Sequence, residues 1–461
     1  MKLFALAAAA LLASTSAAQD IRLPDYQEHT LANGARVLLM EKHDVPIIAL
    51  EAVVRGGSLA DADGKDGTAA LLAELMQKGA GTRDAAAFAE AVDAVGGRLN
   101  IGSGRLGLNL SAEFLADDAA LMVELAADAL RRPQLREDEF AKVRERSIKS
   151  LVAAKDGSPQ ALIGTYGQAW LYGEHAYGRP AGGSEATLAA IEHADLLAWQ
   201  KAQLGGDRLI LVAVGAFKAD VMKAMLDKAF GDWAAASGRL PDIGAKPRES
   251  GRRVLLVDKP GATQTYFWLG NVGVSRSDPE RVAQDLVNTL FGGRFTSMLN
   301  SELRVRTGLT YGAGSSLARL PQPGPTALSS FTRTDATVEA IDLAIATLER
   351  LHTEDFDEAM LKSGRNYVLG QFPPRIETAG QIAAQLGTLA LYGLDRSEID
   401  GFSAAVHAVD AKAARLAATS AFPRGDDLVM VLIGDASKIR EQVKKYGPVT
   451  EMPITATRFQ P

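Results

Sequence analysis

The side chains that most often carry chemistry are sparse in this chain and poorly placed to cooperate. There is no cysteine, so thiol nucleophiles, thiolate metal ligands and disulfides are all excluded. The six histidines are His29, His43, His175, His193, His352 and His407. No two of them are spaced one or two helical turns apart, so no helix face presents a pair of imidazoles to a metal. His175 reads as structural, packed in a loop by Tyr177 and Pro180. In the stretch Ser301–Gly312, a helix ends at Gly308 and a strand follows. Leu299 and Leu303 are one turn apart and face the core, which leaves Arg304 near the helix end. On the residues alone, Arg304 caps helix carbonyls, Tyr311 packs at the strand start, and Arg306 is a solvated charge.

The elements that position these residues come in two copies. Val37-Leu38-Leu39-Met40-Glu41-Lys42 returns as Val254-Leu255-Leu256-Val257-Asp258-Lys259, an offset of 217 residues. Asp207–Gly215 returns as Asp427–Gly434 at an offset of 219, both apolar runs ending in Gly. A second β-rich run follows each first patch, at Ile47–Val54 and Thr265–Val274, and then a helical stretch near Gly67–Lys78 and near Pro279–Phe291. Asp278 and Pro279 suit the cap and first position of that second helix. Helical segments at Ala219–Phe230 and Ser437–Tyr446 close the two halves. Ala236–Arg252, with three glycines and two prolines among polar residues, reads as a surface linker. Strand runs joined by short connections predict mostly antiparallel pairing, hence an α+β fold of two homologous lobes rather than a doubly wound parallel sheet.

Composition sets the class. The chain has 461 residues, 47% hydrophobic and 23% charged, which is globular and ample for a large core. Formal charge is −6, with no Lys/Arg-rich run, which argues against a nucleic-acid partner. Lys2, the apolar run Leu3–Leu12 and the small residues Ser14–Ala18 read as a signal peptide over 1–18, cut after Ala18. That run is too short for the ~20 residues of a membrane span, and no other stretch approaches span length. The expected organisation is therefore leader 1–18, first lobe 19–235, linker 236–252 and second lobe 253–461, in a periplasmic or secreted protein.

The frame around Gly67–Gly79, together with Gly173–Pro180 and Gly292–Leu299, resembles the insulinase–pitrilysin metallopeptidases. The resemblance covers essentially the whole mature chain, including the internal duplication, and implies a mitochondrial-processing-peptidase-like fold. That family carries its zinc on a helix with the motif H-x-x-E-H, whose i, i+3 and i+4 positions share one face. Here those positions hold Ala70, Ala73 and Glu74. The family's third ligand is a Glu on a helix roughly 75 residues on, where this chain reads Ser147–Val152 without a carboxylate. Catalytic zinc needs three protein ligands, so the resemblance implies a degenerate site and no metal of the chain's own.

The same resemblance gives Arg304 and Tyr311 a role. Their spacing of seven matches the family's Arg and Tyr in the half that closes over the zinc site. Arg supplies fixed donors to a peptide carbonyl, and Tyr a hydroxyl near the developing oxyanion. Gly96–Asn100 falls where the family places an edge strand that pairs with peptide. Some members divide into two chains, one with zinc and one without. The implied function is the non-catalytic subunit of a heterodimeric periplasmic zinc peptidase, contacting peptide in trans through Arg304 and Tyr311. Zinc is then expected in a homologous partner subunit. Two alternatives stay open: an independent metallopeptidase with atypical ligands, and a peptide-binding or assembly scaffold outside proteolysis.

Overall fold

The computed structural model describes residues 22–461, so the leader expected at 1–18 lies outside the described residues. The first half contains β1 (Gln27–Thr30), β2 (Arg36–Glu41), β3 (Ile47–Arg55), a short ribbon of β4 (Gly79–Ala80) and β5 (Arg83–Asp84), β6 (Arg98–Ser103), β7 (Gly107–Leu115) and β8 (Leu209–Gly215). The second contains β9 (Arg253–Asp258), β10 (Gln264–Val272), β11 (Ala313–Leu317), β12 (Pro325–Arg333), β13 (Val429–Gly434) and β14 (Val449–Pro453). Two six-stranded sheets result, in the orders β1-β2-β8-β3-β7-β6 and β14-β9-β13-β10-β12-β11.

Five strands correspond one to one between the sheets, and their registers repeat. Ile47 pairs with Leu115 and Arg55 with Gly107, as Gln264 pairs with Arg333 and Val272 with Pro325. Pairing is antiparallel except at β2–β8, β9–β13 and β9–β14. Only the sixth strand differs. The N-terminal β1 runs antiparallel to β2, whereas the C-terminal β14 runs parallel to β9. This is the mostly antiparallel, two-lobed α+β fold read from the sequence.

Residue patterns explain the layering. β2, β3 and β8 are almost continuously apolar and are buried on both faces. β7 alternates, with Leu108, Leu110, Ala112 and Phe114 inward and Asn109, Ser111 and Glu113 on the other face. One face of each sheet is covered by helices of its own half, which pack Leu72, Met122, Leu130 and Leu226 in the first half and Leu286, Ile341, Leu348 and Ile439 in the second. The other face is covered from across the molecule. The helix Ile163–Tyr172 packs Ile163, Tyr166 and Ala169 against Leu255, Trp268 and Val431 of the second sheet. The helix Ala379–Tyr392 packs Ile382, Ala383 and Leu386 against Met40, Val53 and Val212 of the first.

Close approach in this exchange depends on glycine. A Cβ on Gly167 would lie 2.5 Å from the Trp268 ring, and one on Gly387 would lie 3.1 Å from Cγ of Glu51. Gly167 and Gly387 occupy corresponding places, as do Trp268 and Glu51, each opposite the middle of the antiparallel neighbour (Val431 and Val212). Glu51 is 8% exposed, and burial pushes its carboxyl up to about 7.

Two details depart from the sequence reading. The helix expected from Pro279 begins at Arg281, and Pro279 lies in the preceding turn. Asp278 accepts the Glu280 N–H at 2.9 Å, so its capping capacity is spent one turn early. The chain then widens into a π-type turn over Thr289–Gly293, where Gly292 passes so close to β11 that a Cβ would meet Ser315. The linker is not loose over its whole length. Arg248 donates to Val272 O at 2.9 Å, and Glu249 N donates to Asn271 Oδ1 at 3.0 Å. Among the described residues no helix is long and apolar enough to cross a membrane.

Two outcomes follow from the exchanged layer. Gly167→Ala should cost about 2 kcal/mol by overpacking, despite the ~1 kcal/mol that Ala gains over Gly in a helix. Adding Trp268→Leu should recover most of it, and urea midpoints of the single and double variants check this. Glu51 has a raised folded pKa, so the folded state binds more protons than the unfolded one between about 4.5 and 7. Stability is then fully present below 4.5 and falls as pH rises towards 7, by about 3 kcal/mol from this group. The difference between wild type and Glu51→Gln, measured by denaturation at pH 5 and pH 8, should show that loss.

Candidate functional site

The helix Thr68–Leu75 starts after Gly67, whose φ of +100° admits no other residue without strain. Asp61 fixes that start, its carboxylate accepting the N–H of Gly67 at 2.9 Å and of Ala69 at 3.0 Å. Burial pushes Asp61 up to about 7, against the downward pull of those two N–H groups and Arg179. Arg179 ties the incoming loop down by donating to Asp61 O at 2.6 Å and Ala62 O at 2.9 Å and by pairing with Asp66. Gly173–Pro180, conspicuous in the sequence, thus acts as a brace for this helix. His175 belongs to that brace. Its Nδ1 accepts the Tyr177 N–H at 3.1 Å, Nε2 meets Gly244 O at 2.9 Å, and the ring lies against Tyr172 and Tyr177.

On the helix, Ala70 and Glu74 are partly exposed and Ala73 is buried. The helix Glu137–Gly157 passes alongside, and its Arg146 forms an ion pair with the Glu74 carboxylate. The face that would carry two imidazoles and a base therefore carries two methyl groups and a carboxylate already neutralised by a guanidinium. These residues do not fit a zinc ion. Ala70 and Ala73 offer no donor, and Arg146 supplies the positive charge that a metal would bring. No group of three or more His, Asp or Glu side chains able to hold a metal occurs among the described residues. Arg146 lies 72 positions beyond Glu74, and nothing local in the sequence marks the pair.

Arg304 and Tyr311 sit on one stiffened segment. The short helix Met298–Asn300 continues as a π-type turn, Ser301–Arg306, that buries Leu303. The Leu303 carbonyl accepts N–H groups of Leu309 at 2.9 Å and Thr310 at 3.2 Å, and Gly308 turns with φ +66°. Ser330 on β12 donates to Gly312 O at 2.9 Å, which pins the far side. From this frame the two side chains point outward. Arg304 is exposed, and its guanidinium carbon stands 4.8 Å from the centre of the Phe295 ring. Tyr311 is 79% exposed and Phe295 59%.

Neither side chain does what local reading alone assigns it. Arg304 stacks on an aromatic face rather than on helix carbonyls, and Tyr311 projects into solvent rather than packing at the strand. Arg306 pairs with Glu302, which also holds Arg350. Phe295 completes the exposed group and was not singled out in the sequence, although it stands inside the Gly292–Leu299 motif. The edge strand expected at Gly96–Asn100 is β6 (Arg98–Ser103), the outermost strand of the first sheet, with one edge free among the described residues.

Comparison with known proteins adds the family. Residues 36–183 match the family described as insulinase (peptidase family M16), and residues 190–368 match the one described as peptidase M16 inactive domain. An uncharacterised zinc protease of Mycobacterium leprae is 30% identical over 293 residues, which span 62% of this chain and 65% of that protein. One of Mycobacterium bovis is 26% identical over 374 residues, 80% of this chain and 84% of that protein. The crystal structure of a peptidase M16 inactive domain from Pseudomonas fluorescens superposes with a TM-score of 0.82 at 22% identity, covering 89% of this chain and 98% of that one.

The ion pair at Glu74 makes a measurable claim. Arg146→Ala should change stability by less than about 1 kcal/mol, because both partners reach solvent. In an Ala70→His/Glu74→His background, zinc affinity should rise at least about tenfold when Arg146 is replaced by Glu, which exchanges a repelling charge for a third ligand. Zinc titration with a competing chelator reads this directly; equal affinities would assign Arg146 no influence on the position.

Proposed function

The chain belongs to the insulinase (M16) peptidase family, and from that premise we propose that it is the non-catalytic subunit of a heterodimeric zinc peptidase. The observation that carries the reading is the contrast between two positions: the metal face is neutralised by the Glu74–Arg146 pair, while Tyr311 stands exposed on a rigid frame beside Arg304, which is stacked on the exposed Phe295 ring. Exposed polar side chains on a braced segment are suited to meet something outside their own chain. In this reading a homologous partner subunit holds the zinc and the base, and the two chains together enclose peptide. In this reading the leader expected at 1–18 directs the chain to the periplasm or out of the cell.

The chemistry of the pair follows from its groups. Arg304 donates N–H groups to a peptide carbonyl, and its stacking on Phe295 limits the entropy lost on binding. Tyr311 directs a phenolic O–H at the oxygen that gains negative charge as the peptide bond is attacked. The free edge of β6 offers backbone pairing to an extended peptide. Substrates are peptides or unfolded segments.

The test uses the chain mixed with its zinc-bearing homologue from the same host. The chain alone should be inactive and the mixture active. Arg304→Ala and Tyr311→Phe should each lower kcat/KM of the complex by about tenfold to a thousandfold, with Arg304→Lys failing to rescue. Unchanged rates in both variants would remove the trans-acting role.

A further inference from the structure

The two halves differ most sharply where their sheets meet the exchanged helices. In the second half Tyr266, Trp268 and Phe331 form an aromatic layer, with the rings of Tyr266 and Phe331 5.8 Å apart and Trp268 against Gly167. The matching register positions in the first half are Ala49, Glu51 and Glu113. Ring volume is replaced there by a cavity of about 150 Å³ under the helix Ala379–Tyr392, opening beside the edge strand β6. The polar groups on its wall are Glu51, Ser111, Glu113, Arg98 and Asn100.

Glu51 is the unexplained group. It lies mid-strand at 8% exposure, and no hydrogen bond or ion pair reaches its side chain among the described residues. Buried polar groups ordinarily have partners, and a buried carboxylate without one is costly. No cationic group faces it from the elements packed against it, among the described residues. β8 presents Val212, β7 presents Ser111 and Glu113, and the helix Ala379–Tyr392 carries no Asp, Glu, Lys, Arg or His. Arg98, at the mouth on β6, is exposed and forms no ion pair with either carboxylate. Glu113 is also unpaired among the described residues, and Gly380 leaves room for its carboxylate, since a Cβ there would lie 3.0 Å from Oε2. The remaining wall, with Ala49 and Ala383, is apolar.

Two carboxylates facing an apolar-floored cavity specify an organic cation rather than a metal ion, because no third carboxylate or imidazole completes a metal set. We propose that this cavity is a binding site for a primary ammonium group on an unbranched alkyl stem, with Glu51 and Glu113 as its charge partners and Ser111 and Asn100 as hydrogen-bond acceptors. The stem lies along Ala49 and Ala383, in the space that aromatic rings fill in the other half. The ammonium comes from a free alkylamine or from a lysine side chain of a peptide; the second source rests on the peptide-binding reading above. Burial pushes Glu51 up to about 7, so a bound ammonium displaces a proton and binds more tightly as pH rises.

Calorimetric titration of the full chain with n-pentylammonium and with 1-pentanol tests the site. The ammonium should bind at least about tenfold more tightly at pH 8, and its affinity should fall roughly tenfold by pH 6 as Glu51 takes up its proton. Glu51→Gln should abolish the preference while leaving the far-ultraviolet spectrum unchanged. Should that variant not fold, Glu113→Gln and Ser111→Ala should each weaken ammonium binding without affecting pentanol. A pair of extended peptides differing only in lysine or norleucine separates the sources. A lysine advantage lost in Glu51→Gln assigns the site to peptide side chains, and ammonium binding without that advantage assigns it to free amines. If neither the ammonium nor lysine is preferred, the proposal is wrong. Peptide binding with no such preference would overturn the cavity's role and leave the proposed function standing.

Discussion

The structure depends on one constraint: the central strands of both sheets are apolar on both faces, and each half covers only one of them. β8 and β13 are buried from end to end, so an uncovered face would leave a broad apolar surface in water. The missing cover is supplied reciprocally, by Ile163–Tyr172 for the second sheet and by Ala379–Tyr392 for the first. Neither sheet is complete without the other half, and the exchange holds the halves in a set relation. Gly167 and Gly387 mark how closely the helices must approach.

A symmetric scaffold leaves its contents free to diverge. At the metal face of the first half the ligands are gone and Glu74 is answered by Arg146 from the neighbouring helix. In the second half, a π-type turn and a left-handed Gly308 present Arg304 and Tyr311. In the exchanged layer, Trp268 packs fully in one half while Glu51 stands unpaired in the other. The hydrophobic faces that hold the halves together repeat in pattern, and Glu51 sets a carboxylate inside that contact, under the helix Ala379–Tyr392.

The duplication, the strands and the mostly antiparallel class are legible in the amino-acid order alone. These rest on local periodicity, and the repeated patches Val37–Lys42 and Val254–Lys259 carry it in plain view. The same order shows that the H-x-x-E-H positions hold Ala70, Ala73 and Glu74, because that motif lies on one short helix and its spacing is local. Helix boundaries were less legible, as at Pro279, where an Asp that suits a cap is used in the preceding turn. The partners emerge from the folded chain. Arg146 meets Glu74 across 72 residues, Phe295 meets Arg304 through a folded-back turn, and Glu51 faces a helix that begins at Ala379. The physical reason is that periodicity records which face of an element is apolar, whereas the identity of what packs on that face is set by long-range closure. A chain can therefore announce its faces residue by residue and still leave their partners to be settled by the fold.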